Sequence, residues 1–143
     1  MASTDMQTRH IAVTAAVLIV GLAGCGGQPP ALGATKAKVT IDGKDTGNPH
    51  AVTCSQTGWA WTIETPDKAK GFTAVIATGD SIAAKSVDFH DFAGFTGTYW
   101  GEVGKAEVTG VGGKYTITGS ADGNFTDNPS KEVSATFRIE ADC

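Results

Sequence analysis

Val133-Ser134-Ala135-Thr136-Phe137-Arg138-Ile139 alternates apolar and polar side chains without a break. At period two, Val133, Ala135, Phe137 and Ile139 point one way and Ser134, Thr136 and Arg138 the other, the pattern of a strand with one buried face. Upstream, Glu107-Val108-Thr109-Gly110-Val111 leads through Gly112-Gly113 into Lys114-Tyr115-Thr116-Ile117-Thr118, a hairpin with a two-glycine turn. The alternating run Lys38-Val39-Thr40-Ile41-Asp42 enters the turn signal Asp42-Gly43-Lys44-Asp45, and Ala51-Val52-Thr53-Cys54 is a short β-prone run. Trp59, Trp61 and Ile63 fall on one face at the same period.

Between these stretches lie Phe72 to Ala77, the alternating Lys85, Val87 and Phe89, and a Gly-rich Phe95 to Gly101 closed by Tyr99-Trp100. Asp80 to Ser86 alone has a helical alternative, with Asp80 or Ser81 as cap ahead of Ile82-Ala83-Ala84. Short strands separated by turn residues predict an all-β fold, a small antiparallel sandwich or partly closed barrel. Nineteen glycines in 143 residues, well above the usual ~7%, fit a chain with many turns.

The N-terminus has a different character. Arg9 and the uncharged Ile11 to Leu22 form the cationic and apolar parts of a secretory signal, followed by Leu22-Ala23-Gly24-Cys25. The apolar run is shorter than the ~20 residues of a spanning helix. Asp5 offsets Arg9, and a start at Met6 leaves Arg9 unopposed. The Leu-Ala-Gly-Cys sequence resembles a bacterial lipobox, whose Cys sulfur takes a diacylglycerol before cleavage. The expected organisation is a signal peptide over 1–24, a lipidated Cys25 with a tether over 25–35, and one β domain over 36–143. The tether, rich in Gly and Pro and poor in apolar bulk, reaches about 30 Å when extended. It should hold the domain close to the outer face of the cell membrane.

Removing residues 1–24 takes one acid, Asp5, and one base, Arg9, so the formal charge stays at −4. With basic residues spaced singly, nucleic acid is not an expected partner. Once Cys25 is consumed by lipid, Cys54 and Cys143 remain, and outside the cytoplasm a disulfide is the natural reading. Neither sits in a Cys-x-x-Cys pair, and no His lies at ligand spacing from them. No cofactor or structural metal is expected.

Catalysis is not expected either: the chain has no Gly-x-Ser-x-Gly, His-Glu-x-x-His, phosphate-loop or dinucleotide motif. Asp88, His90 and Asp91 are ligand types, but alternation puts Asp91 opposite the other two, so a solvated loop is the expectation. Asn124-Phe125-Thr126 matches the eukaryotic glycosylation sequon, a chance match beside a bacterial lipobox. The aromatics Trp59, Trp61, Phe89, Tyr99 and Trp100, with Phe92 and Phe95, have two readings. They are either the core or the lining of an apolar pocket for an acyl chain or other envelope lipid.

The lipobox, Ile41-Asp42-Gly43-Lys44-Asp45, Cys54, Lys85-Ser86-Val87, Lys114 to Gly123, Asn128-Pro129, Phe137-Arg138-Ile139-Glu140 and terminal Cys143 occur in an order that resembles the mycobacterial 19-kilodalton lipoprotein antigen family. The resemblance implies a triacylated envelope lipoprotein, sensed in a host by Toll-like receptor 2 through its acyl chains, with no settled activity for the folded part. That family carries a glycosylated Thr/Ser-rich segment after the lipidated Cys. Here the tether holds only Thr35 and carries Pro29-Pro30, so the resemblance gives no basis for carrying glycosylation over.

Overall fold

The computed structural model describes residues 35–47 and 49–143. The lipobox residues Leu22, Ala23, Gly24 and Cys25, the signal segment and the tether up to residue 34 lie outside the described residues. From Lys36 onward the described chain is strand and turn, with no helix. The strands are β1 Lys36–Ile41, β2 Lys44–Asp45, β3 His50–Ala51, β4 Thr53–Thr57, β5 Ala60–Glu64, β6 Gly71–Thr78, β7 Ile82–Phe92, β8 Phe95–Trp100, β9 Lys105–Val111, β10 Lys114–Phe125 and β11 Asn128–Asp142.

β11 is the spine, as its alternation dictates. Ala135, Phe137, Ile139 and Ala141 are buried while Ser134, Thr136, Arg138 and Glu140 face water. It pairs along its length with β10, setting Ile139 beside Ile117 and Ala135 beside Ala121, and on its other edge with β1, setting Ile139 beside Val39. All pairings are antiparallel, in the order β2-β1-β11-β10-β8-β7-β6-β5-β4, with β3 on β1 and β9 on β10. The sheet is sandwich-like and not closed into a barrel. One segment links its two ends: Ala51 pairs with Lys36 of β1, the Val52 amide donates to the Thr35 carbonyl, and the chain then runs into β4, which pairs with β5.

β10 is long enough to take two partners on one edge. Lys114 to Ser120 pair with β9, and Asp122 to Phe125 with β8. At the change of partner, Trp100 and Val103 exchange backbone hydrogen bonds of 3.0 and 2.9 Å around Gly101-Glu102, forming a two-residue hairpin between β8 and β9. Strands approach closely there: a side chain on Gly104 or Gly119 would fall on the carbonyl oxygen of Ser120 or Lys105. The helical alternative for Asp80 to Ser86 gives way to strand from Ile82, because Ile82, Ala83 and Ala84 are paired with Thr78, Ala77 and Ile76.

The interior is dominated by phenylalanine. All six Phe of the chain join one set of ring contacts. Phe89 lies 5.4 Å from Phe137, 5.7 Å from Phe95, 6.1 Å from Phe92 and 6.3 Å from Phe72, and Phe95 lies 5.1 Å from Phe125. Toward the other end of the interior, Ile63, Ile76, Ile117, Ile139, Val39 and Val87 are fully buried.

Cys54 and Cys143 form a disulfide with a Cα–Cα distance of 5.8 Å, fixing the end of β11 to β4. The sequence separation of 89 residues makes the closed loop long, and removing that much chain entropy from the unfolded state stabilises the fold by about 4 to 5 kcal/mol. Reduction should therefore lower the melting temperature clearly, and alkylation of the native protein without reductant should modify neither cysteine. Modification of both would show that packing alone holds the C-terminal strand.

Candidate functional site

The five aromatics proposed from sequence as a pocket lie in separate environments. Phe89, on β7, is 1% exposed and is surrounded by the other phenylalanines. Trp61, on β5, is half-buried and lies 6.1 Å from Tyr115 across the interior. Tyr99, on β8, is also half-buried, and its hydroxyl donates to the Ala84 carbonyl at 3.2 Å.

Trp59 and Trp100 are surface residues, 72% and 69% exposed. Period two over Trp59, Trp61 and Ile63 implied one face, but Thr57 pairs with Ala60, which leaves Gly58 and Trp59 as the two residues of the β4–β5 turn. Gly58 has φ +58°, the conformation such a turn requires of glycine. Trp100 and Val103 sit together on the small hairpin between β8 and β9. Val103 is 42% exposed, and Val111, at the β9–β10 turn, is 85% exposed.

Asp88, His90 and Asp91 lie on a strand rather than in the solvated loop expected from sequence. β7 runs through them with an irregularity against β8 between Phe89 and Phe92, where Asp91 takes φ +40°. Their carboxylates serve the local structure. Asp88 accepts from the Thr98 hydroxyl at 2.5 Å and Asp91 from the Thr126 hydroxyl at 3.0 Å. Among the described residues, no group of three or more His, Cys, Asp or Glu side chains is placed to share a metal ion.

His50 carried no signal in the sequence, yet it holds the β2–β3 connection to the core. Its ring lies 4.8 Å from Phe92, and its Nε2 is 2.8 Å from the Thr46 hydroxyl. That hydroxyl donates to the Val39 carbonyl at 2.7 Å, so Nε2 must carry the proton and donate to Thr46. Burial lowers the His50 pKa below 6.5, opposed in part by the Asp45 carboxylate. With the folded pKa below the unfolded one, the unfolded chain binds the proton first as pH falls. The stability tied to neutral His50 is thus complete well above 6.5 and is lost through and below it. The melting temperature should fall between about pH 7 and about pH 5 more steeply in the wild type than in His50→Gln. Equal slopes would show that His50 takes up its proton alike in the folded and unfolded chains, so that burial does not disfavour its charged form.

A family model described as Mycobacterium 19 kDa lipoprotein antigen matches residues 30–143. The chain is 36% identical over 141 residues to a lipoprotein of Mycobacterium avium subsp. hominissuis, covering 96% of this chain and 97% of that one. It is 34% identical over 142 residues to lipoprotein LppE of Mycobacterium tuberculosis, covering 96% and 100%. To lipoprotein LpqH of the same species it is 32% identical over 147 residues, covering 90% and 92%. With similarity running through the whole β domain to its terminal cysteine, the chain belongs to the Mycobacterium 19 kDa lipoprotein antigen family.

Proposed function

We propose that the protein is a non-enzymatic, lipid-anchored protein of the cell envelope, exported by the signal over residues 1–24 and acylated at Cys25. Its domain stands on the outer face of the membrane, and its acylated N-terminus is the part a host senses through Toll-like receptor 2. The observation that carries the reading is the lipobox Leu22-Ala23-Gly24-Cys25 in a chain whose relatives are named lipoproteins. The cysteine pairing supports it: with Cys54 and Cys143 joined, Cys25 is the one sulfur of the three left for lipid. The disulfide also fits an oxidising compartment.

Burial energetics are consistent with recognition through acyl chains. Each methylene moved into an apolar groove contributes ~0.8 kcal/mol, and Gly26 and Gly27 beside Cys25 add almost no bulk. The alternative, a carrier for an envelope lipid, has less support. Phe89, the innermost of the five aromatics, has its ring surrounded by four other phenylalanines.

Cys25→Ala tests the proposal. The variant should lose palmitate labelling, membrane fractionation and activity on Toll-like receptor 2 reporter cells together, while the β domain still folds. Labelled palmitate in the variant would place the anchor elsewhere. Full reporter activity from a lipid-free preparation would move recognition onto the folded surface.

A further inference from the structure

The strand registers show which apolar surface lies where the tether enters. Lys36, the first strand residue after the tether, pairs with Asp142, and Asp142 pairs with Lys114. Lys114 opens β10 beside Val111, and the Cys143 amide donates to the Gly113 carbonyl at 2.7 Å. The β9–β10 turn therefore sits at the end of the sheet where the tether enters.

β4 leads to the same end. Ala51 pairs with Lys36, the Val52 amide bonds to the Thr35 carbonyl, and the chain continues past that level through disulfide-bonded Cys54 to the turn at Gly58-Trp59. Two hairpin tips at the tether end thus carry exposed apolar side chains, Val111 at 85% and Trp59 at 72%. The β6–β7 turn joins them, since the Thr78 amide donates to the Trp59 carbonyl at 2.7 Å. It contributes Asp80, while Lys36 supplies positive charge at this end and the Lys114 ammonium donates to the Asp142 carboxylate at 3.3 Å. Trp100 and Val103 lie elsewhere: Gly104 approaches Ser120, six residues along β10 from Lys114, or about 20 Å.

We propose that this end of the domain rests in the headgroup layer of the bilayer that holds the anchor, with Trp59 and Val111 inserted and Lys36 facing lipid phosphates. The inference rests on the anchoring reading of Cys25. The covalent chain supports the bilayer as occupant: Cys25 to Thr35 spans no more than about 36 Å at full extension, so a lipid on Cys25 keeps these tips within reach of the surface at all times. Indole is the side chain most at home at that depth, apolar in its body and able to donate from its N–H. An amphipathic tip held there by a tether needs little affinity of its own to stay bound. The consequence is a fixed orientation: the tether end faces lipid and the Trp100–Val103 hairpin stands on the side, clear of the membrane.

The test couples the chain from Cys25 onward, disulfide intact, through its free Cys25 thiol to maleimide-bearing phosphatidylethanolamine. The vesicles contain phosphatidylcholine and phosphatidylglycerol with brominated acyl chains. Bromine should quench indole fluorescence in the wild type and in Trp100→Phe, the quenching should be largely lost in Trp59→Phe, and Val111→Asp should weaken it. Quenching unchanged in Trp59→Phe, or absent from the wild type, would overturn the proposal. The coupling is chemical, so the outcome does not depend on acylation in the cell, and failure of the anchoring reading appears separately in the palmitate labelling of Cys25→Ala.

Discussion

The mutual packing of six phenylalanines is the constraint on which the rest of this domain depends. They come from β6, β7, β8, β10 and β11 and meet around Phe89, with centroid distances to it of 5.4 to 6.3 Å for its four direct neighbours. Burying each ring contributes about 1.5 to 3 kcal/mol, and each favourable ring pair adds about 0.5 to 1.5 kcal/mol. No two of these strands can separate without opening that cluster. The sheet must fold over because one apolar face lies on both of its halves, and the cluster is what that folding buries.

Much of this was legible in the sequence because strand periodicity and turn chemistry are local. The alternation of Val133 to Ile139, the Asp42-Gly43 turn and the Gly112-Gly113 hairpin need no information from elsewhere in the chain. The disulfide was legible by elimination once Cys25 was assigned to lipid. The features that were not legible depend on distant partners. Ile82-Ala83-Ala84 has some helix propensity, and only pairing with β6 makes it strand. Trp59 fits the period of Trp61 and Ile63, but the Thr57–Ala60 pairing places it in a turn. Asp88, His90 and Asp91 read as a solvated loop because strict alternation splits them between two faces; the irregularity that lets β7 run through them is set by its pairing with β8. His50 is visible only through Phe92, forty-two residues away in sequence.

Phenylalanine packs the inside, while of the exposed tryptophans Trp59 lies in the turn at the tether end and Trp100 closes β8 on the side. The long disulfide-closed loop holds the C-terminal strand against β4 and so keeps the tether end in one arrangement. If Cys25 is acylated as proposed, the β domain is displayed from the membrane by its N-terminal tether, with its phenylalanine cluster packed against itself.

The central claim is that the aromatic interior is filled by the protein's own side chains. Native mass spectrometry of residues 36–143, purified from a mycobacterial host without the anchor, tests it most directly. The account predicts a single species at the mass of the disulfide-bonded polypeptide. A stoichiometric lipid adduct that survives gentle desolvation and disappears when the domain unfolds would contradict it, because a bound acyl chain needs space that the phenylalanine cluster occupies.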